Sequence, residues 1–496
     1  MGYAAAEARL RAWMEGGAEL DQPAPLGRCV SALTKINEPA PFGAHRSTMT
    51  EHGILLTDLY ELSMLEAYAA HGMADTAVFE LFFRKLPPAR GFLLSAGLQQ
   101  AVAFLAGMRF APDDLAWLRT SGMFSPAFVD DLARFRFTGD VDAMPEGTVF
   151  FADEPVLRVT APLPQAQLAE TRLINLLHFQ TVIASKAARM VLVAPGRQLV
   201  DFGLRRAHGA EAGLLAARAS YLAGFAGTAT LQASRDFGIP AVGTMAHSFV
   251  QVHDDEATAF ERFARVRPQA LTLLIDTYDT ERGAAIVANL APRLAAQGIT
   301  VGAVRLDSGD LAAHARKVRA ILDAAGCPAI RIFASGGLDE YQVQALCEGG
   351  APIDGFGVGT SLTTSSDVPA LDCAYKLQEY AGRPRRKRSE GKATWPGRKQ
   401  VYRRCHPDGT IAGDVVALLD EPTEGEALLR PAMRNGHPVP GLPGLTEARQ
   451  RAAASLAQLP MGLRGLAAGD VRVEISQGIR EMAARLDQAT ARGRPP

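Results

Sequence analysis

Cysteine is scarce in this chain: five in 496 residues (Cys29, Cys327, Cys347, Cys373 and Cys405), with no CxxC pair among them. That pattern excludes a zinc ribbon, offers no disulfide framework, and fits a reducing compartment. No apolar run approaches about 20 residues without a charged or strongly polar interruption, so no membrane-spanning helix is expected. The first residues, MGYAAAEARLRAWMEGG, put Glu and Arg where a signal peptide needs an apolar core, and Ala6 stands where a myristoylation signal needs Ser or Thr. The expectation is a cytoplasmic protein. A net charge of −1 supplies no general attraction for nucleic acid or for a membrane surface. No strand–GxGxxG–helix signature with a following acid is present, which leaves a Rossmann-type sheet without its usual support.

What is present describes a globular protein of two or three domains, 48% hydrophobic and 21% charged. Residues 1–50 read as an extension, a helix-like piece followed by the Pro/Gly-bearing stretches DQPAPLG and NEPAPFGAHRS. Residues 51–165 read as an α+β domain. Thr57 or Asp58 can cap a helix in LLTDLYELSMLEAYAAHGM, TAVFELFFRKLP reads as a strand, and 136–163 as short β runs. A different rhythm occupies 166–372. After a long helical pattern come apolar strands at 197–206, 239–248, 270–279, 299–310, 329–339 and 353–362, each followed by a helix-like stretch. A repeat of roughly 30 residues is the size of a βαβ unit and implies a parallel sheet buried on both sides. Six or seven such repeats favour an irregular, TIM-like α/β barrel over a doubly wound sheet. From 373 to 496 the β pattern returns and ends in a strand and helix, read as folding back to complete the N-terminal α+β domain.

In α/β barrels the carboxyl ends of the strands form one mouth. The residues at those ends are Asp201, Arg205, Arg206, Thr244, His247, Asp276, Asp279, Arg305, Asp307, Asp310, Ser335, Gly336, Gly337, Gly357, Gly359 and Thr360. Arginines, carboxylates, one histidine and two glycine-rich turns suit an anionic, phosphorylated ligand with a divalent cation. ASGGLDE and GVGTSL each run from a glycine turn into a helix, exposing backbone N–H groups to a phosphate. Arg305 presents a fork suited to a carboxylate or phosphate, or a rim salt bridge with Asp307. Asp276 and Asp279 could hold Mg²⁺, bind ribose hydroxyls or cap the next helix, with the cap favoured for Asp279. The basic run PRRKR with GRKQVYRR reads first as a solvated hairpin face, and second as a contribution to the mouth.

His247 lies in VGTMAHSF among small residues, and no second His or Cys stands at ligand spacing, so zinc is not expected there.

These strand ends, with TDLYELSM, FELFFRKLP, DFGLRRAHG, GTMAHSF, LLIDTYDT, VRLDSGDL, ASGGLDE, GFGVGTSL and SEGK…PGRKQVYR, resemble the nicotinate phosphoribosyltransferases of the type II phosphoribosyltransferase group, in the family's order from about residue 54 onward. The resemblance implies transfer of the phosphoribosyl group of 5-phosphoribosyl-1-diphosphate to nicotinate. It further implies coupling to ATP, Mg²⁺, and a homodimer with shared active sites. Position by position, His247 is similar to the histidine phosphorylated by ATP, and Tyr60 and Phe202 to the aromatic pair that sandwiches the pyridine ring, Tyr60 coming from the partner subunit. Thr244 and Arg305 are similar to the nicotinate-binding positions. Gly336, Gly337, Gly359 and Thr360 are similar to the phosphoribosyl-diphosphate site, and Arg205 and Asp307 to further catalytic positions. Asp276 is the candidate metal ligand. The competing readings are a nicotinamide or quinolinate enzyme on the same fold, a Schiff-base aldolase lacking a lysine among these strand ends, and a non-catalytic relative.

Overall fold

The strand TAVFELFF (Thr76–Phe83) is buried at every position after the first, so both its faces must be covered. In the computed structural model, which describes residues 53–491 except 270, 468 and 470, it lies inside a seven-stranded antiparallel sheet. The expected 1–50 extension lies outside the described residues. On one side the strand pairs with Pro155–Pro162, on the other with Cys373–Tyr380, so segments about 300 residues apart share one ladder. Tyr375 stacks on Phe79 with ring centroids 4.9 Å apart.

The second sheet is wholly parallel. Its order runs Leu271–Leu274, Val301–Leu306, Arg331–Ala334, Gly355–Val358, Gln198–Asp201, Gly227–Thr228, and it continues to a single bridge at Ala241. The last strand of this sheet in chain order, Gly355–Val358, pairs with the first, Gln198–Asp201, in the middle of a sheet that curls as an irregular, open barrel. The ladder is open between Ala241 and Leu271. One sequence expectation needs correction here, and one strand is unexpected. The 239–248 run makes only the Ala241 bridge, and a two-residue strand at Gly227–Thr228, too short to show a period, occupies its own place in the sheet.

Helix Glu170–Val193 runs behind the barrel. Residues 163–193 have the length and mean hydropathy (1.2) of a membrane span, but 78% of the most apolar window is buried within the fold, as in a core helix. The charges such a helix takes inside are paired. Lys186 meets Glu340 at 2.7 Å and Asp367 at 2.6 Å, Arg90 meets Asp367 at 3.1 Å, and Arg189 meets Glu340 at 3.4 Å. Burial works to raise the Asp367 carboxyl, but Arg90 and Lys186 outweigh it and hold the group down to about 2. The basic hairpin is matched locally: Arg386 and Arg388 each lie 3.1 Å from Asp487 on the final helix, and Arg386 sits over Trp395.

Candidate active site

The sheet order decides which strand ends are neighbours. Around the rim, Asp276 and Thr277 are followed by Arg305 and Asp307, then Ser335–Gly337, then Gly359–Thr360, then Phe202 and Arg205. Thr244 and His247, past the Ala241 bridge, come next. Side chains then close the ring across the open seam. His247 Nδ1 lies 3.2 Å from Thr277 Oγ1, and Arg305 Nη1 donates to Thr244 Oγ1 at 3.1 Å.

Arg305 is the hub. Besides Thr244, its Nε donates to Ser335 Oγ at 2.8 Å and its Nη2 to Asp307 Oδ1 at 2.8 Å, while the guanidinium carbon sits 5.3 Å from the Phe202 ring centroid. Ser335 also donates to Asp307 Oδ1. Burial works to keep the Asp307 carboxyl neutral, but the Ser335 hydroxyl, Arg305 and His247 together hold it below the ordinary carboxylate range. His247 Nε2 faces Asp307 Oδ2 at 3.8 Å. The imidazole is 40% exposed, with Gly243, Ala246 and Ser248 exposed around it, so the ring has open space rather than apolar packing.

The glycines are demanded by these contacts. Gly336 has φ +102°, and a Cβ there would run into the Asp307 carbonyl oxygen. Gly337 has φ +69° with open space beside it. A Cβ on Gly357 would strike the Phe202 ring, and one on Gly359 would press on the Phe202 carbonyl oxygen at 3.1 Å. Glycine in a strand interior marks such close approach. The two phosphate-type turns thus leave adjacent parallel strands, one against Asp307 and the other against Phe202.

The carboxylates divide by role. Asp279 and Asp310 accept from the backbone N–H of Arg282 and Ala313 and are helix caps. Asp201 is buried, accepts from Thr228 Oγ1 and the Gly203 N–H, and is pushed up by burial; it pins the turn that carries Phe202. Asp276 Oδ2 accepts from the Asp307 N–H at 2.8 Å and Ser308 Oγ at 2.6 Å, while its Oδ1 is buried without a partner. No cluster of three or more His, Cys, Asp or Glu that could cage a metal occurs among the described residues. Arg205 stands exposed in the turn Leu204–Arg206, with no ion pair or hydrogen bond among the described residues.

Sequence reading placed Ser335 at the mouth without its bonds to Arg305 and Asp307, and missed Thr277 and Phe333. Phe333 lies opposite Arg305 in register, and its ring is 6.4 Å from that of Phe202. The glycines of IDGFGVG carried the only local sign of it, since a Cβ on Gly355 would strike Phe333. A cavity of about 460 Å³ lies elsewhere, lined among others by Gln99, Arg430 and Arg451, and holds none of the rim residues.

Tyr60 does not join the rim within the chain. It is 47% exposed on helix Leu59–Ala70, and its neighbours are Glu61, Glu170 and Thr171. The cap expected of Asp58 is not made; its carboxylate accepts from Thr171 Oγ1 at 2.9 Å. Next to Tyr60, Glu61 is fully buried and accepts from Gln167 Nε2 at 2.9 Å. Burial and nearby Glu170 raise its carboxyl from 4.5 to about 7 despite that bond. The folded state therefore prefers the protonated acid. Stability from this group is fully present below 4.5, falls as pH rises, and is lost above about 7, by up to about 3 kcal/mol. Thermal unfolding should show higher stability at pH 5 than at pH 8, and Glu61→Gln should flatten that slope; a variant that keeps the whole slope would remove Glu61 as its source.

A family model described as the nicotinate phosphoribosyltransferase N-terminal domain matches residues 55–178, and one described as the nicotinate phosphoribosyltransferase family matches residues 197–384. The chain is 52% identical over 415 residues to a nicotinate phosphoribosyltransferase of Mycobacterium tuberculosis, covering 84% of this chain and 89% of that protein. It is 40% identical over 384 residues to the nicotinate phosphoribosyltransferase of Bacillus subtilis, covering 76% and 78%. It matches the crystal structure of human nicotinic acid phosphoribosyltransferase with a TM-score of 0.78 at 30% identity, covering 87% of this chain and 99% of that one.

Proposed function

This chain belongs to the nicotinate phosphoribosyltransferase family, and from that premise we infer that it joins nicotinate to 5-phosphoribosyl-1-diphosphate, giving nicotinate mononucleotide and diphosphate in the first step of NAD synthesis from nicotinate. One observation carries the reading: Arg305, held by Thr244, Ser335 and Asp307 over the Phe202 ring, shares a rim with two glycine turns on adjacent strands. A flat ring bearing one carboxylate fits the first half of that rim, and a phosphorylated sugar the second.

The pyridine nitrogen attacks C1 of the ribose, the C1–N bond forms, and the C1–O bond to diphosphate breaks. The nitrogen carries no proton, so no general base is needed. The chain has to aim the ring and receive charge where it develops. Phe202 offers a face for stacking, Arg305 and Thr244 hold the carboxylate, and backbone amides at Gly336–Gly337 and Gly359–Thr360 face the phosphates. Arg205, exposed and unpaired, adds a cation at the same end.

Mg²⁺ fits the residues present in a limited way. An ion that takes most of its ligands from substrate phosphates and water needs one or two carboxylates from protein. Asp276, with one buried oxygen lacking a partner, would hold it. When bound, the ion would neutralise charge on the departing diphosphate.

The reading extends to ATP as co-substrate, which would make the enzyme an ATP-dependent ligase. The γ-phosphoryl passes to an imidazole nitrogen of His247, ADP leaves, and water later cleaves the N–P bond. Support comes from the exposed ring among small residues beside Asp307. The added charge would act on the surrounding loops rather than on the substrate. Exposed Tyr60 supports a homodimer in which it completes the Phe202 stack from the partner subunit. The scattered thiols fit the cytoplasm.

The test is formation of nicotinate mononucleotide with and without ATP. Wild type should use nicotinate in preference to nicotinamide or quinolinate, and ATP should accelerate it. His247→Ala should lose both the acceleration and the acid-labile phosphoryl label from ATP, while retaining ATP-independent turnover. Nicotinamide turnover without nicotinate turnover would overturn the assignment, and labelling that survives His247→Ala would remove the phosphohistidine.

A further inference from the structure

A guanidinium has five N–H donors in a fixed plane. In Arg305, Nε is committed to Ser335, one donor of Nη1 to Thr244 and one of Nη2 to Asp307. Two donors remain, one on each terminal nitrogen, and a carboxylate accepts from such donors. Which way that pair points depends on what holds the other edge. Along that edge Ser335 Oγ and Asp307 Oδ1 stand side by side, bonded to each other and to Nε and Nη2. Ser335 is 2% exposed, and its own N–H donates to the Leu306 carbonyl at 2.8 Å. The next residue, Gly336, is pressed so closely on the Asp307 carbonyl that no side chain fits there. The barrel therefore fixes the backbone that carries the hydroxyl, whose Oγ also lies 3.3 Å from the Leu306 carbonyl.

We propose that Ser335 is a positioning residue that sets selectivity for a carboxylate-bearing pyridine, by locking one edge of the Arg305 guanidinium so that its two uncommitted donors face the substrate. The inference rests on the nicotinate reading above. Ser335 touches no reacting atom; it acts through Arg305. Without the hydroxyl, Nε has no acceptor and Asp307 keeps only Nη2 and His247, so the fork can swing about that remaining bond and turn away from the carboxylate while keeping its charge. An uncharged amide, which gains less from a paired fork, is affected less.

The experiment is a double-mutant cycle measured by steady-state formation of the pyridine mononucleotides from nicotinate and from nicotinamide. Ser335→Ala should raise KM for nicotinate by about tenfold or more, the scale of one lost charge-assisted orientation. It should leave kcat within about threefold and lower the nicotinate-over-nicotinamide preference by a similar factor. In an Arg305→Lys background, where there is no planar fork to orient, the same change should add less than about twofold. A purely structural serine would cost the same in both backgrounds, and that result overturns the proposal, as does an unchanged nicotinate KM in Ser335→Ala. A loss confined to kcat or to the KM for 5-phosphoribosyl-1-diphosphate also overturns it. If wild type turns over no nicotinate, the functional reading fails and this inference with it; if wild type does and the cycle is additive, only this inference fails.

Discussion

Arg305→Ala should lower kcat/KM for nicotinate by about three orders of magnitude, with a much smaller change for 5-phosphoribosyl-1-diphosphate binding. The loss has two parts. The substrate carboxylate loses its cation, and Asp307, only 26% exposed, is left with Ser335 and His247 but without the guanidinium that balances it. Thr244 and Ser335 each lose a partner as well. Truncating one member of a hydrogen-bonded charge pair costs about 3–5 kcal/mol when the other is left uncompensated, which is about 10²–10⁴ in rate. Arg305→Lys should recover little, because an ammonium cannot serve Thr244, Ser335 and Asp307 in one plane. Initial rates over a matrix of both substrates separate the two binding terms. A variant that retains kcat/KM within tenfold would show that the carboxylate is held elsewhere.

Much of this rim was legible because barrel chemistry has a local signature. A buried parallel strand is a short apolar run, and where it leaves the sheet the sequence turns small, polar or charged. VRLDSGD, IFASGG and GFGVGT show that transition, and the structure puts Arg305, Ser335 and Gly359 where it predicts. Asp279 likewise announced itself as a cap by preceding a helical period. Illegible features depend on partners distant in the chain. Gly227–Thr228 is a strand only because Gln198–Asp201 lies beside it. Thr277 matters because His247 crosses an open seam to reach it. Ser335 looked like part of a glycine turn, and its hydroxyl gained a role only when strand pairing set Arg305 and Asp307 beside it. Asp310 carried the opposite error: a carboxylate in a charged strand end read as site chemistry, and it serves as the cap of helix Leu311–Ala324.

The ion network behind the glycine turns had no period or motif at all, and removing its centre should have the largest effect on stability. Glu340 is fully buried on the first turn of the helix that follows ASGGLD, between Lys186 and Arg189 of helix Glu170–Val193. Glu340→Gln keeps the shape and removes the charge, leaving three buried cations, Lys186, Arg189 and Arg90, with Asp367 as the one remaining acid and Arg189 without an ion pair. The expected cost is about 3–5 kcal/mol, read as a lower urea midpoint with an unchanged slope. KM for 5-phosphoribosyl-1-diphosphate should rise too, because the helix anchors the Gly336–Gly337 turn. Adding Lys186→Met should recover part of the loss, since one buried cation is then gone while Asp367 keeps Arg90; a double variant no more stable than Glu340→Gln would mean that packing around the carboxyl, not charge balance, is what the pair supplies. Acid should act on the same network through Asp367. Its carboxyl is depressed to about 2, so its contribution is present above its ordinary value of 3.8 and lost as pH falls through 2. In Glu340→Gln, Asp367 stands alone against Lys186 and Arg90, and the acid unfolding transition should become steeper over that window than in wild type.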